Sequence, residues 1–237
     1  MKKFILSSAV ALCAMAMASC SNLGGSASIK TSADSAAYAI GLVNGQMFAN
    51  SLTQIPGDSI DRKVLVEGLK DALYNEKGIF TAEDAQTFLQ TYFERVDKQI
   101  RERNEKEGTD FLESNKTAEG VQTTESGLQY KVDKMGEGEK ATSASDTVVV
   151  HYKGSTLDGK VFDSSYDRNE PATFPLDRVI SGWTEGFQLI PAGSTFTLWI
   201  PANLAYGDRA PAEIGPNRVL RFDCELLEVH HAKAEKK

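Results

Sequence analysis

Five aromatic side chains, Tyr152, Phe162, Trp183, Tyr206 and Phe222, and one carboxylate, Asp163, gather on the strand faces and loops of the C-terminal half of a 237-residue chain. Their types decide what chemistry is on offer. A Ser-His-Asp or Cys-His centre needs a histidine beside a nucleophile. Before the tail there is one histidine in this half, His151, and strand alternation turns it away from Tyr152. Cys224 is its one cysteine, too few for a thiolate zinc cluster. His230 and His231 are adjacent near the C-terminus, a weak metal signal without further ligands. The sequence holds no P-loop, no Rossmann glycine pattern and no defensible carboxylate pair. The expectation is no metal and no cofactor. What remains is an apolar, ring-rich surface carrying a single acid.

The element that must organise these rings is Val179–Gly193. Trp183, Phe187 and Ile190 stand at i, i+4 and i+7 of a short helix, with Ser181 as its expected N-cap and Pro191 with Gly193 ending it. Two or three turns bearing a Trp and a Phe cannot stand alone, and the flanking segments read as strands. Leu128, Tyr130 and Val132 share one face, as do Val148, Val150 and Tyr152. Asp158-Gly159 marks a hairpin before Val161-Phe162-Asp163. Thr173-Phe174-Pro175-Leu176 is a short strand whose proline places it at an edge or a bulge. Phe196, Leu198 and Ile200 alternate strictly, as do Leu220, Phe222, Cys224 and Leu226. The fold class is α+β: an antiparallel sheet of five or six strands, buried on one face, wrapped as a half-barrel round one short helix.

Upstream the period changes to that of helices. Ile40, Val43 and Met47 mark a first helix and residues 61–74 a second. Thr81-Ala-Glu-Asp84 caps a third, whose Leu89, Phe93, Val96 and Ile100 form a narrow apolar seam. Beyond Ile100 the seam fades into the i,i+4 pairs Arg101-Glu105 and Arg103-Glu107. That pattern predicts a solvated helical stalk to Glu107 or Lys116, with Gly108 a candidate interruption or hinge. Three helices with so few large apolar residues make a thin core, which predicts a homodimer through residues 33–100.

At the N-terminus, Lys2 and Lys3 precede an apolar run from Phe4 to Ala18, the pattern of a signal peptide over residues 1–19. Met17-Ala18-Ser19-Cys20 resembles the cleavage box of bacterial lipoproteins, so Cys20 is the expected lipidation site and the chain an exported envelope lipoprotein facing the periplasm. Residues 20–32 form the anchor and a Gly/Ser-rich tether. The formal charge is −7, and loss of Lys2 and Lys3 leaves 24 basic against 33 acidic side chains, −9. Such a surface repels nucleic acid. The expected domains are thus the helical dimerisation segment and stalk over 33–116, the sheet domain over 117–229, and a polar tail over 230–237.

Five ordered blocks then carry a resemblance. Val150-His-Tyr-Lys-Gly154, Asp158-Gly-Lys-Val-Phe-Asp-Ser-Ser165, Val179-Ile-Ser-Gly-Trp-Thr-Glu-Gly186, Pro201-Ala-Asn-Leu-Ala-Tyr-Gly207 and Phe222-Asp-Cys-Glu-Leu-Leu227 resemble the FKBP-type peptidyl-prolyl cis-trans isomerases. The helices, the stalk and Ser126-Gly-Leu-Gln-Tyr130 resemble their exported dimeric branch, the one typified by the macrophage infectivity potentiator. The resemblance implies a rotamase acting on X-Pro bonds of unfolded or folding polypeptides. It implies a proline pocket lined by Tyr152, Phe162, Asp163, Val179, Ile180, Trp183, Tyr206, Ile214 and Phe222; beside it Arg168 is expected to pair with Asp163 and to meet substrate. Ala172 stands where many members carry a bulky aromatic, which implies a pocket open on that side. A dimeric holdase chaperone, clasping clients between two stalks with little catalysis, is the alternative reading.

Overall fold

A computed structural model describes residues 28–53, 55, 57, 59–75 and 77–232. The signal-like segment, Cys20 and the last five residues of the tail lie outside them. The chain divides into two compact units, Met1–Ile55 and Pro56–Lys237.

The first unit holds helix α1, Ser32–Leu52. Thr31 caps it: its hydroxyl accepts from the Asp34 N–H at 3.1 Å, while the Asp34 carboxylate accepts from the Thr31 N–H at 2.8 Å. None of its residues is buried, and Ile40, Leu42, Val43, Met47 and Phe48 are exposed.

The second unit opens with α2, Arg62–Tyr74, and α3, Ala82–Asn115. Asp61 caps α2, and Asn75, in the left-handed region at φ 54°, stops it. Thr81 caps α3 by accepting from the Asp84 N–H at 3.1 Å. At 34 residues α3 is about 50 Å long. It runs straight through Gly108, so the expected interruption is absent. Its second half is solvated on one face, as expected of a stalk, but packed on the other. Asn104 is buried and donates to the Pro216 carbonyl at 2.7 Å. The bare Gly108 lets the helix backbone approach Val219 so closely that a Cβ there would meet Val219 Cγ2 at 2.7 Å. The Leu112 carbonyl accepts from Gln129 at 2.8 Å, and Asn115 donates to Gln129 Oε1 at 2.8 Å. The fading apolar seam concealed this because the contacts are made by small and amide side chains.

A sheet follows, built from β1 Val121–Thr123, β2 Gln129–Lys134, β3 Thr147–Thr156, β4 Val161–Ser164, β5 Ala172–Pro175, β6 Thr195–Ile200 and β7 Leu220–His230. Its order is β1-β2-β6-β7-β3-β4, every pair antiparallel, with β5 lying on β3. The seven strands exceed the expected five or six because β1, three residues long, is too short to show a period.

Helix α4, Ser181–Leu189, packs on the concave face. Its residues Gly182 and Gly186 lie on one side, and Cβ atoms there would come within 2.3 Å of Ile200 and 2.9 Å of Leu198. The missing side chains bring the helix down onto β6, and Trp183 and Phe187 spread sideways into the core. Phe187, Phe196, Leu128, Leu176, Ile190, Leu198, Ile200, Leu220 and Leu226 are fully buried there. Ser181 is not the N-cap. Ile180 occupies that place in an extended conformation, with no side-chain cap bond.

Candidate active site

Trp183, near the start of α4, is the floor of a cavity of about 490 Å³ on the concave side of the sheet. It is 4% exposed and meets four rings: Tyr152 at 5.0 Å, Phe187 at 5.0 Å, Phe222 at 5.2 Å and Phe174 at 5.4 Å between centroids. The contacts to Tyr152, Phe222 and Phe174 are close to perpendicular, the favoured edge-to-face geometry. Its indole N–H is buried without an acceptor among the described residues. The next shell of contact runs inward, from Phe187 to Phe196 at 5.4 Å.

Strand register supplies the walls. Tyr152 on β3 and Phe222 on β7 point into the cavity from adjacent strands, and Gly154 pairs with both Phe222 and Asp163 across the sheet. A Cβ on Gly154 would come within 2.7 Å of Phe222 and 2.8 Å of Phe162, so only glycine lets these two rings meet, edge to face at 5.7 Å. Val179 and Ile180 line the cavity where α4 begins, and Tyr206 closes another side with its hydroxyl unbonded among the described residues.

Asp163 is the polar mark on this surface. Its carboxylate accepts from the Arg168 guanidinium at 2.7 Å and from the Tyr152 hydroxyl. Partial burial pushes the carboxyl up, but the bonds from Tyr152 and Arg168 outweigh it and hold it below the usual carboxylate range. Burial, and next the hydrogen bond to Asp163, push the Tyr152 phenol up to about 12, against the opposing bond from Arg168. Burial likewise raises Tyr206, with Asp163 a second cause. Neither phenol ionises near neutral pH, so both remain hydrogen-bond donors.

Of the residues the sequence singles out, Tyr152, Phe162, Asp163, Val179, Ile180, Trp183, Tyr206 and Phe222 come together around this cavity. Two do not line it. Ile214 is buried in the core cluster, and Arg168 stands behind Asp163, touching Tyr152 and Asp163. Phe174, Arg178, Ser181 and Ala205 line it without having been expected there. Alternation in β5 carries the signal for Phe174, which shares a face with Ala172. Ala172 does not line the cavity; Phe174 supplies an aromatic wall two residues further on. His151 faces away, as alternation requires, its ring stacked on Tyr166 at 4.8 Å and bonded to Ser165. Cys224 is buried, and burial drives its thiol well above the ordinary value.

The arrangement has no proton relay aimed at a reacting atom. It can strip water from an apolar segment of chain and offer one hydroxyl to a carbonyl.

Residues 138–227 match the family described as FKBP-type peptidyl-prolyl cis-trans isomerase, and residues 33–132 the domain amino terminal to it. An FKBP-type peptidyl-prolyl cis-trans isomerase FkpA of Aeromonas hydrophila is 44% identical over 218 residues, covering 88% of this chain and 81% of its own. This chain belongs to the FKBP-type isomerases. An outer membrane protein MIP of Legionella longbeachae is 38% identical, covering 94% of this chain and 96% of its own. The crystal structure of FkpA from Escherichia coli shares the fold at a TM-score of 0.68 and 38% identity, over 87% of this chain and all of that one. The FKBP-type assignment makes the protein an X-Pro rotamase, and the relatives favour that activity over a holdase alone.

Proposed function

We propose that rotation about X-Pro bonds takes place in the cavity over Trp183. An X-Pro bond turns over a barrier of about 18–20 kcal/mol because twisting breaks amide resonance. No group has to receive a proton. The twisted amide carries less charge separation than the planar one, so transfer from water to an apolar, ring-lined surface favours the transition state over the ground state. A thousandfold acceleration needs about 4 kcal/mol. Trp183 takes the proline ring from below, Phe162, Tyr152, Phe174 and Phe222 form the walls, and the Tyr206 hydroxyl holds the neighbouring carbonyl. Val179 and Ile180 favour an apolar residue before the proline. The observation that carries this reading is the buried Trp183 at the cavity floor among perpendicular rings, with no competing polar machinery among the described residues.

The test is the cis-to-trans rate of a short Leu-Pro peptide with the full chain and its Phe162→Ala and Trp183→Ala variants. The parent accelerates the reaction, and the Phe162 variant, still folded by circular dichroism, loses at least about tenfold in kcat/KM. A folded parent that leaves the uncatalysed rate unchanged would overturn the reading.

Clients are exposed X-Pro segments of unfolded or folding proteins of a bacterial envelope. The signal-like N-terminus supports that location, as does the outer-membrane name of the Legionella relative. Cys20 is the lipid attachment point on this reading; Cys20→Ser would release the chain from membranes, and unchanged membrane association would rule the anchor out. A homodimer through residues 33–100 is supported by the exposed apolar side chains of α1 and by Val64, Leu69, Leu73, Phe88 and Leu89 on α2 and α3. Sedimentation of the parent beside Val43→Glu tests it.

A further inference from the structure

Among the described residues, Arg178 is the one residue of the cavity lining whose charge nothing balances. It ends the turn Leu176–Arg178, immediately before Val179 and Ile180, and lines the same cavity as Trp183 and Tyr206. The other charged lining residue, Asp163, is matched by Arg168 at 2.7 Å. The Arg178 side chain is exposed and, among the described residues, makes no hydrogen bond, ion pair or ring contact. Asp177 neighbours it in sequence but does not line the cavity and makes no ion pair with it. The mouth of the site therefore carries one uncompensated positive charge, on a chain with 33 acidic and 26 basic side chains.

We infer that Arg178 gives the enzyme a preference for clients with Asp or Glu beside the X-Pro unit. The inference rests on the cavity being the site of isomerisation. A guanidinium is permanently charged and offers paired N–H donors that match a carboxylate. Rotation of the amide creates no net charge, so a contact to a flanking carboxylate is equally strong in the planar and twisted forms. It lowers KM and leaves kcat alone. At an open rim such a pair is worth a factor of about two to five, and salt screens it.

The experiment uses the full chain and peptides blocked at both ends, so that no terminal charge interferes. Ala-Glu-Leu-Pro-Phe is compared with its Gln counterpart, and Ala-Ala-Leu-Pro-Glu with its own, by NMR exchange spectroscopy at low and high salt. The parent favours Glu in at least one placement by about two- to fivefold in kcat/KM, carried by KM and reduced by salt. The ratio falls to one in Arg178→Gln and inverts in Arg178→Glu, whatever happens to the absolute rates. A parent that isomerises both members of each pair at equal rates, or a preference that survives in Arg178→Gln, overturns the inference. If the folded Phe162→Ala variant keeps the full rate on every peptide, the cavity is not the site and the inference falls with it.

Discussion

Arg168 donates from one guanidinium nitrogen to Asp163 at 2.7 Å and from the other to the Tyr152 hydroxyl at 3.0 Å. That hydroxyl donates in turn to Asp163, so the three close a ring that fixes one wall of the pocket. Arg168→Ala should lower kcat/KM about three- to tenfold. Stability should change by less than about 1 kcal/mol, because the Arg168–Asp163 pair is close to half exposed. Arg168→Lys should recover little, since an ammonium cannot span both oxygens in the same plane. Chemical denaturation beside the kinetics separates the two effects.

The same groups make the rate insensitive to pH. Asp163 is held below the usual carboxylate range, Tyr152 lies at about 12 and Tyr206 above its ordinary value. None changes charge between about pH 5 and 9. kcat/KM should therefore be flat across that window, and a bell centred near neutrality would reveal an acid-base group that the geometry does not contain.

Stability has a pH dependence of its own, set far from the pocket. Asp146 is buried and accepts from the N–H groups of Thr142, Ser143 and Ala232 and from the His231 ring, which also approaches Glu139 at 3.3 Å. Burial pushes the Asp146 carboxyl up, but these donors, Ala232 first, bring it far below the usual range, while the Asp146 bond raises His231. The Asp146 contribution is present above the unfolded carboxylate value near 4 and fades as pH falls through the folded one. The His231 contribution is complete below the unfolded imidazole value near 6.5 and is lost as pH rises through the folded one. His231→Ala should thus lower Tm most near pH 5.5, and progressively less as pH rises through the raised folded value. Asp146→Asn should cost about 2–4 kcal/mol near neutral pH, since three backbone donors lose a charged acceptor.

Gly108 allows a test in which two effects oppose each other. Replacing an exposed helical glycine by alanine normally gains about 1 kcal/mol. Here the new Cβ would press on Val219, and overpacking costs about 1–3 kcal/mol. Gly108→Ala should therefore leave stability unchanged or lower it, and a gain in urea midpoint would show that α3 does not sit against the sheet domain.

The sheet was legible because alternation marks it: Phe196, Leu198 and Ile200, then Leu220, Phe222, Cys224 and Leu226, all face the core. The ring set was legible because blocks of the sequence resemble a family. What stayed hidden depends on partners distant in the chain. Gln129, which alternation assigns to a wet face, is buried because α3 lies over it. Gly182 and Gly186 stand at i and i+4 but add nothing to the apolar stripe, yet they decide how deeply α4 sits. Arg178 reads as an ordinary charged turn residue until the turn is seen to border the cavity.

The chain of rings from Trp183 through Phe187 to Phe196 joins the floor of the pocket to the deepest part of the core. The cavity surface therefore has no melting transition of its own. Mild denaturant or warming should leave the activity of each folded molecule intact until the whole domain cooperatively unfolds, and then abolish it, so that loss of rate and loss of tertiary structure trace one curve.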